Sequence, residues 1–190
     1  MSKPQVPIEV NDDTGVWSVD GMPMILVPRH FFVNNHTAIE SALGKRRYAQ
    51  QLFGAGHKSA YVWCEREAQT HGLKDIEVFQ HYMKRLSQRG WGRFAVETVD
   101  AGSGRARVRV DHSVFVLQHE GTPGKTCYMF TGWLCGALEF VAAGIGTPHK
   151  LFADETQCAA EGRHDHCIFE VSLQQAGAAA PRVSRRRAKS

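Results

Sequence analysis

The stretch RFAVETVDAGSGRARVRVD, residues 93–111, decides the fold, because the apolar period of the chain changes there. Within it Ala106, Val108 and Val110 alternate with Arg105, Arg107 and Arg109, the period of two expected of a strand with one wetted face. The turn residues AGSG at 101–104 separate two such runs, which predicts an antiparallel pair. Upstream, the spacing is helical. Asp75 stands as a candidate N-cap before Ile76, Phe79, Met83 and Leu86, which share one helix face. Residues 46–70 form a second expected helix, crossed by GAG at 54–56. Each helical glycine costs roughly 1 kcal/mol relative to Ala, so the pair signals a kink or a close backbone approach. Phe32, His36, Ile39 and Leu43 predict a first helix from Pro28 to Gly44. Before it, VWSVDGMPMILV at 16–27 reads as two short strands around Asp20-Gly21, a dipeptide suited to a tight hairpin.

Downstream, HSVFVLQHEG either extends the sheet or leads to the next element. TCYMFTGWLCGALEFVAAG, 126–144, is apolar on nearly every side and predicts a central buried helix. HKLFADETQC and CIFEVSL supply the last two strands. Helices come first and most strands later, which makes the class α+β, with N-terminal helices packed on an antiparallel sheet.

A chain of 190 residues suffices for one core, and two domains would each be marginal. The expected organisation is a loose lead-in at 1–15, a single domain at 16–173 and a disordered basic tail at 174–190. The net charge of +4 is misleading, since five basic residues lie in that tail and the remainder holds 18 basic against 19 acidic residues. A near-neutral body argues against sequence-specific nucleic-acid binding. No apolar run long enough to span a membrane and no secretion signal is seen, so a cytoplasmic location is expected. Five cysteines, an odd number, argue against a disulfide framework and leave thiols for metal or chemistry.

Residues 155–167, ETQCAAEGRHDHC, place Glu155, Cys158 and Cys167 around the final hairpin, with Cys135 on the helix upstream. Three thiolates and a carboxylate close a tetrahedral shell of the kind that selects zinc. Glu139, one turn beyond Cys135, is a rival for Glu155, and His164 or His166 can replace either donor. Asp154 should face the opposite side of the sheet from Glu155. Cys64 and Cys127 are read as core. GAGHKS at 54–59 resembles a phosphate loop but lies inside a helical run, without the strand that such a loop follows.

TGWLCGALEFVAAG, ETQC and GRHDHCIFEV together resemble the C-terminal signature of the 4-vinyl reductase domain family, and ALGKRRYAQQLFGAGHKSAYVW, RGWGRF and DHSVFV resemble its earlier blocks. The likeness spans about residues 25–173. It implies a fold similar to haem-based nitric-oxide sensors and a vesicle-tethering subunit, and a structural zinc site like that of aromatic-effector sensor domains in phenol- and toluene-responsive activators. Carried over, the ligands are Cys135, Glu155, Cys158 and Cys167. Eight residues separate the last two cysteines where the family pattern has seven, so the loop should bulge.

Two functions follow from the resemblance. The first is a sensor or accessory domain that holds a small, largely apolar ligand between the N-terminal helices and the sheet, with Trp91, Phe94, His112, Phe115, Tyr128 and Trp133 as candidate pocket residues. The sequence shows no attached ATPase or DNA-binding domain, so the signal is expected to leave through a homodimer or a protein partner. The second is a reductase or an accessory subunit of one. No nucleotide fingerprint or cofactor-anchoring motif is found, so the binding reading leads.

Overall fold

The computed structural model describes residues 5–117, 119 and 123–174. Three short strands, β1 (Ile8–Val10), β2 (Trp17–Val19) and β3 (Met22–Met24), form an antiparallel sheet in that order. Asp20 and Gly21 make the β2–β3 turn, both with positive φ, as the dipeptide predicts. The lead-in differs from expectation, because Ile8–Val10 pairs with Val19–Trp17 and is therefore a strand. The tail expected from residue 174 lies almost wholly outside the described residues.

Three helices follow, α1 (Arg29–Leu43), α2 (Lys45–His71) and α3 (Ile76–Gln88). Asp75 precedes α3 but makes no side-chain cap; instead the Glu77 carboxylate accepts a hydrogen bond from the Lys74 amide at 3.3 Å. Then come β4 (Arg93–Asp100), β5 (Arg105–Asp111), the single turn α4 (Val114–Leu117), α5 (Phe130–Gly144), β6 (Leu151–Gln157) and β7 (His166–Leu173). The second sheet is antiparallel in the order β4-β5-β7-β6. Ala106, Val108 and Val110 face the core and the intervening arginines the solvent side, as the alternation requires. The class is α+β, with helices packed on antiparallel sheet.

The glycines of α2 answer to close approach. The helix runs unbroken through GAG, and a Cβ on Gly56 would sit 2.8 Å from Trp133 Cδ1. The reciprocal contacts are tighter: a Cβ on Gly132 would strike the backbone of Phe53, and one on Gly136 the backbone of His57. Small residues on both partners let α2 and α5 approach nearly backbone to backbone. Leu134, Ala137 and Leu138 of α5 are fully buried, which makes it the central helix.

Two local features bear on the site. The apolar run starting at residue 126 becomes helical only at Phe130, so Cys127 lies in the preceding turn. The β6–β7 connection contains a 3-10 turn, Ala159–Glu161, ended by Gly162 at φ 77, and β6 bulges between Glu155 and Gln157.

Candidate functional site

Four donors meet where the α5 approach turn crosses the last hairpin. Cys127 comes from the turn, Glu155 from β6, Cys158 from its end and Cys167 from β7, all buried, and their ligating atoms lie within 4.8 Å of one another. The Sγ atoms of Cys127 and Cys167 are 3.7 Å apart and those of Cys167 and Cys158 3.8 Å. Thiolates about 2.3 Å from a common tetrahedral ion stand roughly 3.8 Å from each other, so the spacing matches such a shell. Glu155 Oε2 accepts from the Cys127 amide at 3.0 Å, while Oε1 is buried with no hydrogen-bond partner among the described residues. An orphaned, desolvated carboxylate oxygen costs stability unless something binds it.

The electrostatics agree. Burial, then the neighbouring Cys158, pushes the Glu155 carboxyl up, and burial also pushes up the Cys127 thiol. Hydrogen bonds from Cys127 and Cys167 hold the Cys158 thiol far below its usual range. Burial thus opposes full deprotonation of the four donors, and a divalent cation would supply the compensating charge. Around it, Ser113 Oγ lies 3.0 Å from Cys127 Sγ and the Ala159 amide donates to Cys167 Sγ at 3.4 Å. This buried Cys3Glu cluster can hold a metal.

Of the four expected donors, Glu155, Cys158 and Cys167 come together and Cys135 does not. Cys135 is fully buried on α5 but does not join the cluster. Burial, then the charge of Glu139, raises its thiol pKa, as expected of a core residue. Cys127, read as core, stands in its place. No local signal marked it, because the two residues differ only in whether the helix has begun. Glu139 is engaged elsewhere, accepting from the Leu151 amide at 2.8 Å with His57 Nε2 at 3.0 Å. His164 is exposed and His166 pairs with Asp165 at 2.6 Å. Asp154 points away from Glu155, as alternation requires.

The candidate pocket residues divide. Trp91 lines an apolar cleft of about 650 Å³ together with Trp17, Val19, Met24, Phe32 and Val114. The cleft lies between the N-terminal sheet and the start of α1, not between the helices and the main sheet. Behind it the rings are continuous: Phe32 meets Trp91 edge-on at 5.1 Å and Trp91 meets Trp133 at 4.8 Å. Phe115 and Tyr128 flank His36 at 4.7 and 5.3 Å, and Phe94 packs on Phe130 at 5.1 Å. His112 is exposed and held at φ 53, away from these rings. His36, not singled out among the pocket candidates, is buried, and its Nδ1 has no partner among the described residues. Burial lowers its pKa, so it is neutral at pH 7.

The fold is one shared by a small-molecule sensor domain, a trafficking subunit and a vinyl-4-reductase-family protein. The phenol-responsive sensory domain of the transcription activator PoxR, solved with phenol, is 17% identical, with a TM-score of 0.72 over 87% of this chain and 84% of its own. Trafficking protein particle complex subunit 3 from Naegleria fowleri, solved covalently bound to palmitic acid, is 13% identical with a TM-score of 0.53 over 77% of this chain and 95% of its own. A vinyl-4-reductase family protein from Methanocaldococcus jannaschii is 15% identical with a TM-score of 0.51 over 80% of this chain and 85% of its own. In sequence, the chain belongs to a family described as a domain of unknown function, DUF5943, matched over residues 2–97. No curated protein matches it.

Proposed function

We propose that this chain is a metal-stapled sensor or accessory domain that binds a small, largely apolar ligand and acts through a second copy or a protein partner in the cytoplasm. The observation that carries this reading is the apolar cleft walled by Phe32 and Trp91, behind which Phe115 packs on the buried His36, whose Nδ1 has no partner among the described residues. Rings give a shaped apolar wall, and one imidazole nitrogen can fix a hydroxyl or similar polar group. The fold likeness to a sensory domain solved with phenol supports the same direction.

Zinc is the proposed occupant of Cys127, Glu155, Cys158 and Cys167. Four protein donors close a tetrahedral shell without an open position for water, so its role is to staple the α5 approach to the last hairpin. No helix among the described residues is long and apolar enough to cross a membrane.

The test is a melting-shift screen of phenols, indoles, porphyrin fragments and small methylated metabolites. A binder should raise stability with the logarithm of its concentration, by about 2.7 kcal/mol at a hundred times Kd. Trp91→Ala should weaken all binders. The reading fails if nothing shifts the melt while reduced nicotinamide or flavin supports reduction of a vinyl or carbonyl group by the protein.

A further inference from the structure

A second set of ligating side chains converges at the C-terminal end of α2, with no residue in common with the cysteine cluster. Glu67 is fully buried. His81 Nε2 lies 2.8 Å and His71 Nε2 3.4 Å from its Oε2, so two imidazoles turn the same ring nitrogen toward one carboxylate oxygen. Glu67 Oε1, in contrast, is buried without a partner among the described residues. The β2–β3 turn brings a second carboxylate, with Asp20 Oδ1 3.5 Å from His71 Nε2.

Charge pairing leaves this arrangement incomplete. Arg85 commits its Nη2 to Asp20 at 2.7 Å, while its Nε lies 3.7 Å from Glu67 Oε2 and is itself without a hydrogen bond. The imidazole Nε2 groups can donate hydrogen bonds to Oε2 but leave Oε1 bare, and a buried bare carboxylate oxygen is costly. One divalent ion among these atoms would satisfy the carboxylate and both imidazoles. Donors about 2.0–2.2 Å from a tetrahedral centre stand roughly 3.3–3.6 Å apart, close to the separations of His71 from Glu67 and Asp20.

We propose that Glu67, His71 and His81 form a second metal site for a borderline divalent transition ion such as zinc, with Asp20 placed to complete the shell. The donors are nitrogen and oxygen only, so this site differs chemically from the thiolate cluster. Glu67 and His71 sit one turn apart on α2, His81 on α3 and Asp20 on the hairpin. A bound ion would fasten the hairpin to the helix pair, and because β2 and β3 contribute Trp17, Val19 and Met24 to the cleft, it would also fix that wall.

Cobalt(II) titration of the full chain, stripped of metal under reducing conditions, tests this. Two equivalents are expected, one with near-ultraviolet sulfur-to-cobalt charge-transfer bands and one with visible d–d bands only. The second should vanish in His71→Gln, a partly exposed position where folding is expected to survive, and in His81→Gln, while the thiolate bands remain. A single equivalent carrying only thiolate bands overturns the proposal. So does a second equivalent that both variants retain. Cys127→Ser should leave the d–d equivalent intact, which separates this site's failure from failure of the cysteine site.

Discussion

Cys127 and Cys167 lie forty positions apart in the chain, yet their sulfurs are 3.7 Å apart, the separation of two thiolates on one tetrahedral ion. Cys127→Ser should therefore abolish the sulfur-to-cobalt bands of the reconstituted protein. Cys135→Ser should keep them, because that thiol belongs to the α5 core. The reverse pattern would return Cys135 to the ligand set.

Gly136 is where α5 meets α2, and a Cβ there would come within 2.9 Å of the His57 carbonyl carbon. Gly136→Ala should cost about 1–3 kcal/mol or more in urea unfolding, the range for overpacking a filled interior. Gly144, on the same helix, has open space around its Cβ position. Gly144→Ala should be neutral or slightly stabilising, and equal losses at both sites would mean that the helices do not approach as described.

His36 gives a pH dependence of definite sign. Burial lowers its pKa from 6.5, with Lys45 reinforcing the shift and Glu40 opposing it. The unfolded chain then takes up the proton first, so the stability linked to neutral His36 is complete above the ordinary histidine value and is lost as pH falls through the lowered folded value. Between about pH 7.5 and 5.5 the wild type should lose more stability than His36→Gln in chemical denaturation. Identical slopes would mean that His36 is already solvated.

Ile25 and Leu26 stand 83% and 77% exposed at the rim of the cleft, where a second copy of the chain would cover them. Sedimentation should show a concentration-dependent dimer. Leu26→Asp should shift it to monomer without lowering the melting temperature of the monomer, and an all-monomer wild type would remove the second copy from the proposed function.

The sequence alone determined what depends on near neighbours. The switch from helical to alternating period and the Asp20-Gly21 turn specify the elements, because period and turn chemistry act over a few residues, while the α2 glycines left a kink and a close approach as alternatives. Glu155, Cys158 and Cys167 were legible as a group for the same reason, since one hairpin joins them. Tertiary structure decided the rest. Whether Cys127 or Cys135 completes that group turns on where α5 begins, and a continuous apolar run does not reveal the helix start. Glu67 and His71 share a helix face that spacing can show, but His81, Asp20 and the bare Oε1 meet them only through packing of α3 and the hairpin. His36 likewise reads as one turn of an ordinary helix, and only the rings of Tyr48, Phe115 and Tyr128 closing around it leave its Nδ1 dry and uncommitted. Burial is a property of the assembled surfaces, so the polar atoms that it strands could be identified only in the folded chain.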